Sequence, residues 1–151
     1  RDYPLAKKLR ERKGVSVKIT NDANAAALGE AKFGAGKNYK NSILVTLGTG
    51  VGGGIVIDGK LFEGYKSAGA EIGHMVIERH GDVCTCGRRG CFEAYCSVSE
   101  QGDNLTVPLQ TYVDKELFGG TQYAPVKIVK ASLGSKAGAY GAAALAMKVD
   151  L

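Results

Sequence analysis

The sequence has no apolar segment at its start, where Arg1-Asp2-Tyr3-Pro4 stands, and no hydrophobic run long enough to cross a bilayer. Neither a signal peptide nor a membrane span is expected. There is no internal repeat and no long low-complexity tract. Basic clustering is also scarce. The densest run, Lys7-Lys8-Leu9-Arg10-Glu11-Arg12-Lys13, contains an acid, so the formal net charge of +5 describes a solvated helix face and not a nucleic-acid surface.

What remains is the composition of a globular protein, 44% hydrophobic and 23% charged, with enough chain in 151 residues for one ordinary core. Glycine is abundant, at 22 residues, about twice its ordinary share. Several loops must bend sharply or approach a ligand closely. Four cysteines allow two disulfides in a secreted protein. Three of them, however, lie within residues 84–91 at glycine-rich spacing, which suits a metal and a reducing cytoplasm.

Pro4 to Lys13 reads as a short helix stopped by Gly14, and Val15 to Ile19 as a strand ending in Thr20. Asn21-Asp22 opens an alanine-rich helix that ends near Gly34 or Gly36. Ser42 to Thr46 and Ile55 to Ile57 read as buried strands, and Asp58-Gly59 is a hairpin turn before a third strand, Lys60-Leu61-Phe62. Leu105 to Leu117 reads as an amphipathic helix with Leu109, Tyr112 and Val113 inward. Val126 to Ala131 reads as a strand and Gly134 to Met147 as a closely packed terminal helix.

Three constellations carry chemistry. Leu47-Gly48-Thr49-Gly50-Val51-Gly52-Gly53-Gly54 sets five glycines between two strands, a backbone-amide cradle that suits phosphate oxygens. It lacks Gly-Lys-Ser/Thr and leads into a strand, so it is neither the nucleotide P-loop nor a dinucleotide fingerprint. A bare flexible hairpin is the alternative. Second, His74 with Cys84, Cys86 and Cys91 makes a full tetrahedral set for zinc. A closed shell leaves no position for a reacting water, so the metal is expected to be structural. Cys96 reads as a small core residue and His80 as part of a surface turn. Third, Asp22 stands where a strand gives way to a helix, as a cap or as a cleft carboxylate. Taken singly, Glu71 and Glu93 read as solvated acids; beside the cysteine module they are acceptors for a polyhydroxylated ligand.

In their order, Asn21-Asp22-Ala23-Asn24-Ala25, the Gly48–Gly54 loop, Glu71-Ile72-Gly73-His74 and Cys84-x-Cys86-Gly87-x-x-Gly90-Cys91-x-Glu93 resemble the signature of the ROK family (repressor, open reading frame, kinase). The resemblance covers nearly the whole chain and implies an α/β fold. That fold is an actin/hexokinase-like (ribonuclease H-like) domain with a mixed sheet flanked by helices and a structural zinc module at 74–93. It implies ATP-dependent phosphorylation of the 6-hydroxyl of a hexose such as glucose, with Mg²⁺ accompanying ATP. Asp22 is then the general base, and Asn21, Glu71, His74 and Glu93 hold the sugar. Gly48, Thr49, Gly50, Gly52 and Gly53 meet the ATP phosphates. His74, Cys84, Cys86 and Cys91 hold Zn²⁺. It further implies a homo-oligomer, dimer or tetramer, in the cytoplasm, with no nucleic-acid partner. A sugar-sensing repressor of the same family is the competing reading, and a bare zinc-bearing interaction module the third.

Two features of the family pattern are missing from the sequence. Nothing matches its N-terminal Asp-x-Gly-Gly-Thr strand and domain, so residues 1–151 correspond to an incomplete C-terminal domain. A further block of helices, with a glycine-rich strand, is skipped between Ser97 and Val98, where a break in covalent continuity is expected.

Overall fold

A computed structural model describes residues 3–96, 103–120, 122 and 125–147 of the chain. The junction between Ser97 and Val98 lies outside the described residues. Helix α1 spans Leu5–Lys13 and closes on Gly14, which takes the left-handed conformation at φ 67° and donates to the Arg10 carbonyl. Helix α2 spans Asp22–Phe33; its cap is Asn21, whose Oδ1 accepts from the Asn24 N–H at 2.6 Å. Strands β1 (Ser42–Leu47), β2 (Val51–Ile57) and β3 (Lys60–Phe62) form one antiparallel sheet in the order β1-β2-β3. Asp58 and Gly59 join β2 to β3 with φ of 48° and 71°, the paired positive values of a type I′ turn. Helices α3 (Asp103–Glu116) and α4 (Ala137–Met147) complete the elements. Among the described residues no helix is long and apolar enough to cross a membrane.

The layers follow from small side chains. Period-2 alternation puts Leu44, Val56 and Leu61 on one face of the sheet, where Ala27 and Ala31 of α2 close the core. Glycines 52 and 54 permit that approach. A Cβ on Gly54 would overlap the Ala27 methyl, and one on Gly52 would stand 3.1 Å from the Ala23 methyl. The far side of α2 carries α4, and the two backbones meet at Gly29 and Gly141. Thus α2 is held between sheet and helix, which fixes the direction in which Asn21 and Asp22 project.

Several sequence expectations need correction. Among the described residues the sheet is antiparallel and not mixed, and residues 15–19 join no ladder; Val15 and Ile19 are exposed. A strand exists only through its neighbour, and none of the described strands lies alongside. Residues 126–131 are likewise irregular. There the Gln110 side chain replaces a ladder partner, donating to the Val126 carbonyl at 2.9 Å and accepting from the Ile128 N–H at 2.7 Å. Helix α3 forms as expected, but Leu109 and Tyr112 are exposed and Val113 is only half-buried. Amphipathic spacing supplies a face, not the element that covers it. Cys96 is half-buried and not a core residue; His80 is exposed in a turn, as expected.

One buried charge ties α2 to the approach of α4. Glu30 is buried; its Oε1 accepts from the Leu133 N–H at 2.7 Å, and its Oε2 from the Ala35 N–H at 2.8 Å and the Ser132 hydroxyl at 3.3 Å. Burial alone pushes the carboxyl up, but these donors outweigh it and hold it below the ordinary glutamate value of 4.5. A depressed folded pKa contributes stability that is present above the unfolded value and lost as pH falls through the folded one. Glu30→Gln removes one acceptor oxygen and should cost about 1.5–3 kcal/mol at neutral pH. The variant should also lose less stability than wild type on acidification below the ordinary glutamate range. Urea melts at neutral and acid pH measure both, and parallel acid profiles would contradict this role.

Candidate functional site

The candidate motifs meet at the first two residues of β2. Leu47 pairs with Val51, so the chain reverses within Gly48, Thr49 and Gly50, and the Gly48 N–H donates to the Gly50 carbonyl at 3.0 Å. Val51 is buried, and its N–H donates to Glu93 Oε2 at 3.0 Å. On its other side lies Gly73, where any Cβ would strike the Val51 carbonyl. The next residue, Gly52, lies against Ala23, the neighbour of Asp22. Three stretches far apart in sequence thus converge on the two residues that follow the glycine reversal.

The glycine run divides by role. Gly48 and Gly50 form the reversal, whereas Gly52, Gly53 and Gly54 lie within β2. A Cβ on Gly53 would stand 2.5 Å from the Ala70 carbonyl oxygen. Packing therefore accounts for glycine at 52–54, and the exposed amide cradle narrows to residues 48–50.

The cysteine segment folds around its own donors. The ligand atoms of His74, Cys84, Cys86 and Cys91 all lie within 4.8 Å of one another. Cys84 Sγ is 3.7 Å from His74 Nδ1, and Cys86 Sγ is 3.7 Å from Cys91 Sγ. A cation about 2.3 Å from each sulfur in a tetrahedron sets the sulfurs about 3.8 Å apart, so the donor set fits such an ion. Gly87 and Gly90, at φ 86° and 75°, turn the chain so that Cys91 returns to the pair. The Arg88 guanidinium donates to the His74 carbonyl at 2.9 Å, joining the histidine arm to the cysteine arm. Electrostatics prepare the thiols unequally. The Arg88 N–H and guanidinium lower Cys86 to about 6, while burial raises Cys91 to about 11. Cys86 is thus the thiol ready as a thiolate, and a cation would favour deprotonation of Cys91 against the cost of its burial.

The carboxylates differ. Glu93 is half-buried, and its Oε1 accepts from the Thr85 hydroxyl at 2.9 Å. The Val51 N–H first, then Thr85, hold its carboxyl below the usual range. Glu71 is exposed and precedes the single 3₁₀ turn Ile72–His74, with its carbonyl accepting from the His74 N–H at 3.0 Å. Asp22 is exposed in the first turn of α2, and its Oδ1 accepts from the Ala23 N–H at 2.9 Å. Because Asn21 supplies the cap, Asp22 is not needed for that task.

A profile of the ROK family matches residues 1–102. The chain belongs to the ROK family. Two curated members illustrate its range. A glucokinase of Streptomyces coelicolor is 50% identical over 97 residues, 64% of this chain and 31% of that protein. A xylose repressor of Bacillus subtilis is 45% identical over 97 residues, 64% of this chain and 25% of that protein. Among solved structures, a ROK glucokinase from Streptomyces griseus in complex with glucose and AMPPNP superposes with a TM-score of 0.83 at 28% identity, over 99% of this chain and 74% of that one. The chain spans about a third of the length of the glucokinases it matches.

Within this ROK chain, sequence reasoning passed over three residues that build the site. Thr85 sits between two cysteines and orients Glu93. Arg88 holds the histidine arm and favours the Cys86 thiolate. Glu63 accepts from the Thr20 hydroxyl at 3.1 Å, pinning the approach to Asn21. The available signal was position: polar residues inside a tight cysteine motif or just before a helix cap have few roles besides hydrogen bonding.

Proposed function

We propose that this chain is the sugar- and metal-binding portion of an ATP-dependent hexose kinase, a glucokinase that phosphorylates the 6-hydroxyl of glucose. The observation that carries the proposal is the convergence at Val51-Gly52. Glu93 and Gly73-His74 grip the residue that ends the glycine reversal, and the helix bearing Asp22 rests on the next. An acceptor cluster for a sugar and a cradle for phosphate therefore share one wall.

In this reading the Asp22 carboxylate takes the proton of the 6-hydroxyl as its oxygen attacks the γ-phosphorus and ADP departs. Asn21 Oδ1 is engaged as the helix cap, so its amide nitrogen is left to donate to a sugar hydroxyl. Glu71, Glu93 and the Nε2 edge of His74 supply the remaining polar contacts. Thr49 and Gly50 offer amides to the ATP phosphates, with Gly48 closing the reversal beneath them through its N–H to the Gly50 carbonyl and Gly52 and Gly53 supporting them from β2. Mg²⁺ carried by ATP supplies charge neutralisation. Zn²⁺ held by His74 Nδ1, Cys84, Cys86 and Cys91 would fill all four positions and supply order, not reactivity. Three thiolates fit the reducing cytoplasm, and a homo-oligomer, dimer or tetramer, is expected by light scattering.

A phosphorylation assay on the full-length protein across glucose, mannose, fructose and N-acetylated hexosamines tests the substrate; no transfer to any of them would overturn the reading. The second reading, a sugar-sensing repressor, draws on the similarity to the xylose repressor. Sugar binding without phosphoryl transfer favours it. For the metal, elemental analysis should find about one zinc per chain, with metal–sulfur distances near ~2.3 Å by X-ray absorption. A protein grown with zinc and recovered without it would contradict the assignment.

A further inference from the structure

We propose that Glu93 is a positioning residue, a strut that carries metal occupancy of the His74, Cys84, Cys86 and Cys91 cluster into the shape of the glycine reversal at residues 48–50. The inference rests on the metal reading above and extends it to a consequence for the loop.

Glu93 has one oxygen on each side of the connection. Oε1 lies 3.8 Å from Cys84 Sγ and accepts from the Thr85 hydroxyl, so it moves with the cysteine arm. Oε2 accepts from the Val51 N–H at 3.0 Å. A side chain at position 50 would exclude the carboxylate, because a Cβ there would stand 2.7 Å from Oε2. The histidine arm makes a second grip on the same residue, with Gly73 flat against the Val51 carbonyl. Val51 is thus held at its N–H by one arm of the cluster and at its carbonyl by the other.

The arms are joined at residues 75–78 and 90–92: the Phe92 N–H donates to the Met75 carbonyl at 2.9 Å, the Ile77 and Glu78 N–H groups to the Gly90 carbonyl at 2.8 and 3.2 Å, and Val76 bridges Cys91. The turn that carries Cys84, Thr85 and Cys86 lies beyond that pairing, and Arg88 ties its base to the His74 carbonyl at 2.9 Å. A cation binding all four donors locks the arms together, and hence the two grips on Val51. Without it the Cys84–Cys86 turn is no longer fastened to His74, the Thr85 hydroxyl draws Glu93 with that turn, and the Val51 N–H loses its charged acceptor. Val51 pairs with Leu47 across the reversal, so the Thr49 apex loosens with it.

Amide hydrogen exchange on the metal-loaded and chelated protein tests this, with metal content measured on each sample. Chelation should speed exchange at Val51 by about tenfold, the scale of one hydrogen bond to a charged acceptor, and leave Ala27 to Ala31 in α2 unchanged. Glu93→Ala keeps all four donors and should keep the metal, yet exchange fast at Val51 whether loaded or chelated. Metal bound with no change at Val51 on chelation overturns the strut alone. Equal acceleration in α2 also overturns it, because the cluster would then be a general staple. Failure of the wild-type chain to take up zinc overturns the metal reading and the strut with it. Should Glu93→Ala not fold, the wild-type pair decides.

Discussion

In the full-length enzyme, Asp22→Asn should lower kcat for hexose phosphorylation by about 10²–10⁴-fold, the usual worth of a positioned general base, while sugar affinity stays near wild type. The amide has the shape of the carboxylate, and its oxygen still accepts the Ala23 N–H that Asp22 Oδ1 now receives at 2.9 Å. The helix does not depend on it, because Asn21 makes the cap. Asp22 is exposed and packs no core, so the substitution should leave the melting temperature within about 0.5 kcal/mol of equivalent stability. A loss in kcat with sugar binding and fold intact identifies a group that acts on the reacting proton. Near-normal turnover would leave Asp22 no role beyond its contact with its own neighbour. A matched loss of stability would make it a structural residue instead.

Much of this was legible from residue types alone, where local chemistry decides the outcome. Asp58-Gly59 turns with two positive φ values and Gly14 closes α1 because each is a short-range problem with one economical solution, whereas the cap of α2 falls to Asn21 and not to Asp22, the neighbour the sequence offered for it. The spacing from Cys84 to Cys91 likewise brings its thiols together without help from the rest of the chain. Where the outcome depended on a distant partner, the pattern misled. Residues 15–19 and 126–131 read as strands but lie beside none of the described strands, and no described residue covers the face of α3 that carries Leu109 and Tyr112. The glycine run was legible as a loop yet divided by packing, since Gly52 and Gly54 are small for the sake of α2 and not of a ligand. The bond from Glu93 to Val51 spans 42 residues, and no spacing rule encodes it.

Two glycines three residues apart on α4 should respond to alanine with opposite signs. Helix propensity favours alanine over glycine by about 1 kcal/mol in a helix interior, and by that rule both Gly138→Ala and Gly141→Ala should stabilise. At Gly138, in the first turn of α4, nothing lies within 4 Å of the added methyl, so part of the propensity gain should appear without a packing cost. At Gly141 the methyl would strike the Ala25 carbonyl oxygen and stand 2.9 Å from the Gly29 amide nitrogen. Both are backbone atoms of α2, and no rotamer change can move them aside. The helices must separate, and Gly29, already against the Ala137 carbonyl, loses its contact as they do. Overpacking of this kind costs about 1–3 kcal/mol or more, which exceeds the propensity gain. Gly141→Ala should therefore lower the melting temperature by several degrees, roughly 2–4 °C per kcal/mol for a domain of this size, while Gly138→Ala raises it. The consequence reaches the site, because α4 presses α2 onto β2, and Asn21 and Asp22 stand at the end of α2. Gly141→Ala should accordingly weaken sugar binding as well as stability, and Gly138→Ala should leave binding untouched. Thermal melts of the two variants with sugar titrations decide it; a stabilised Gly141→Ala would mean that the helices do not meet at Gly29 and Gly141.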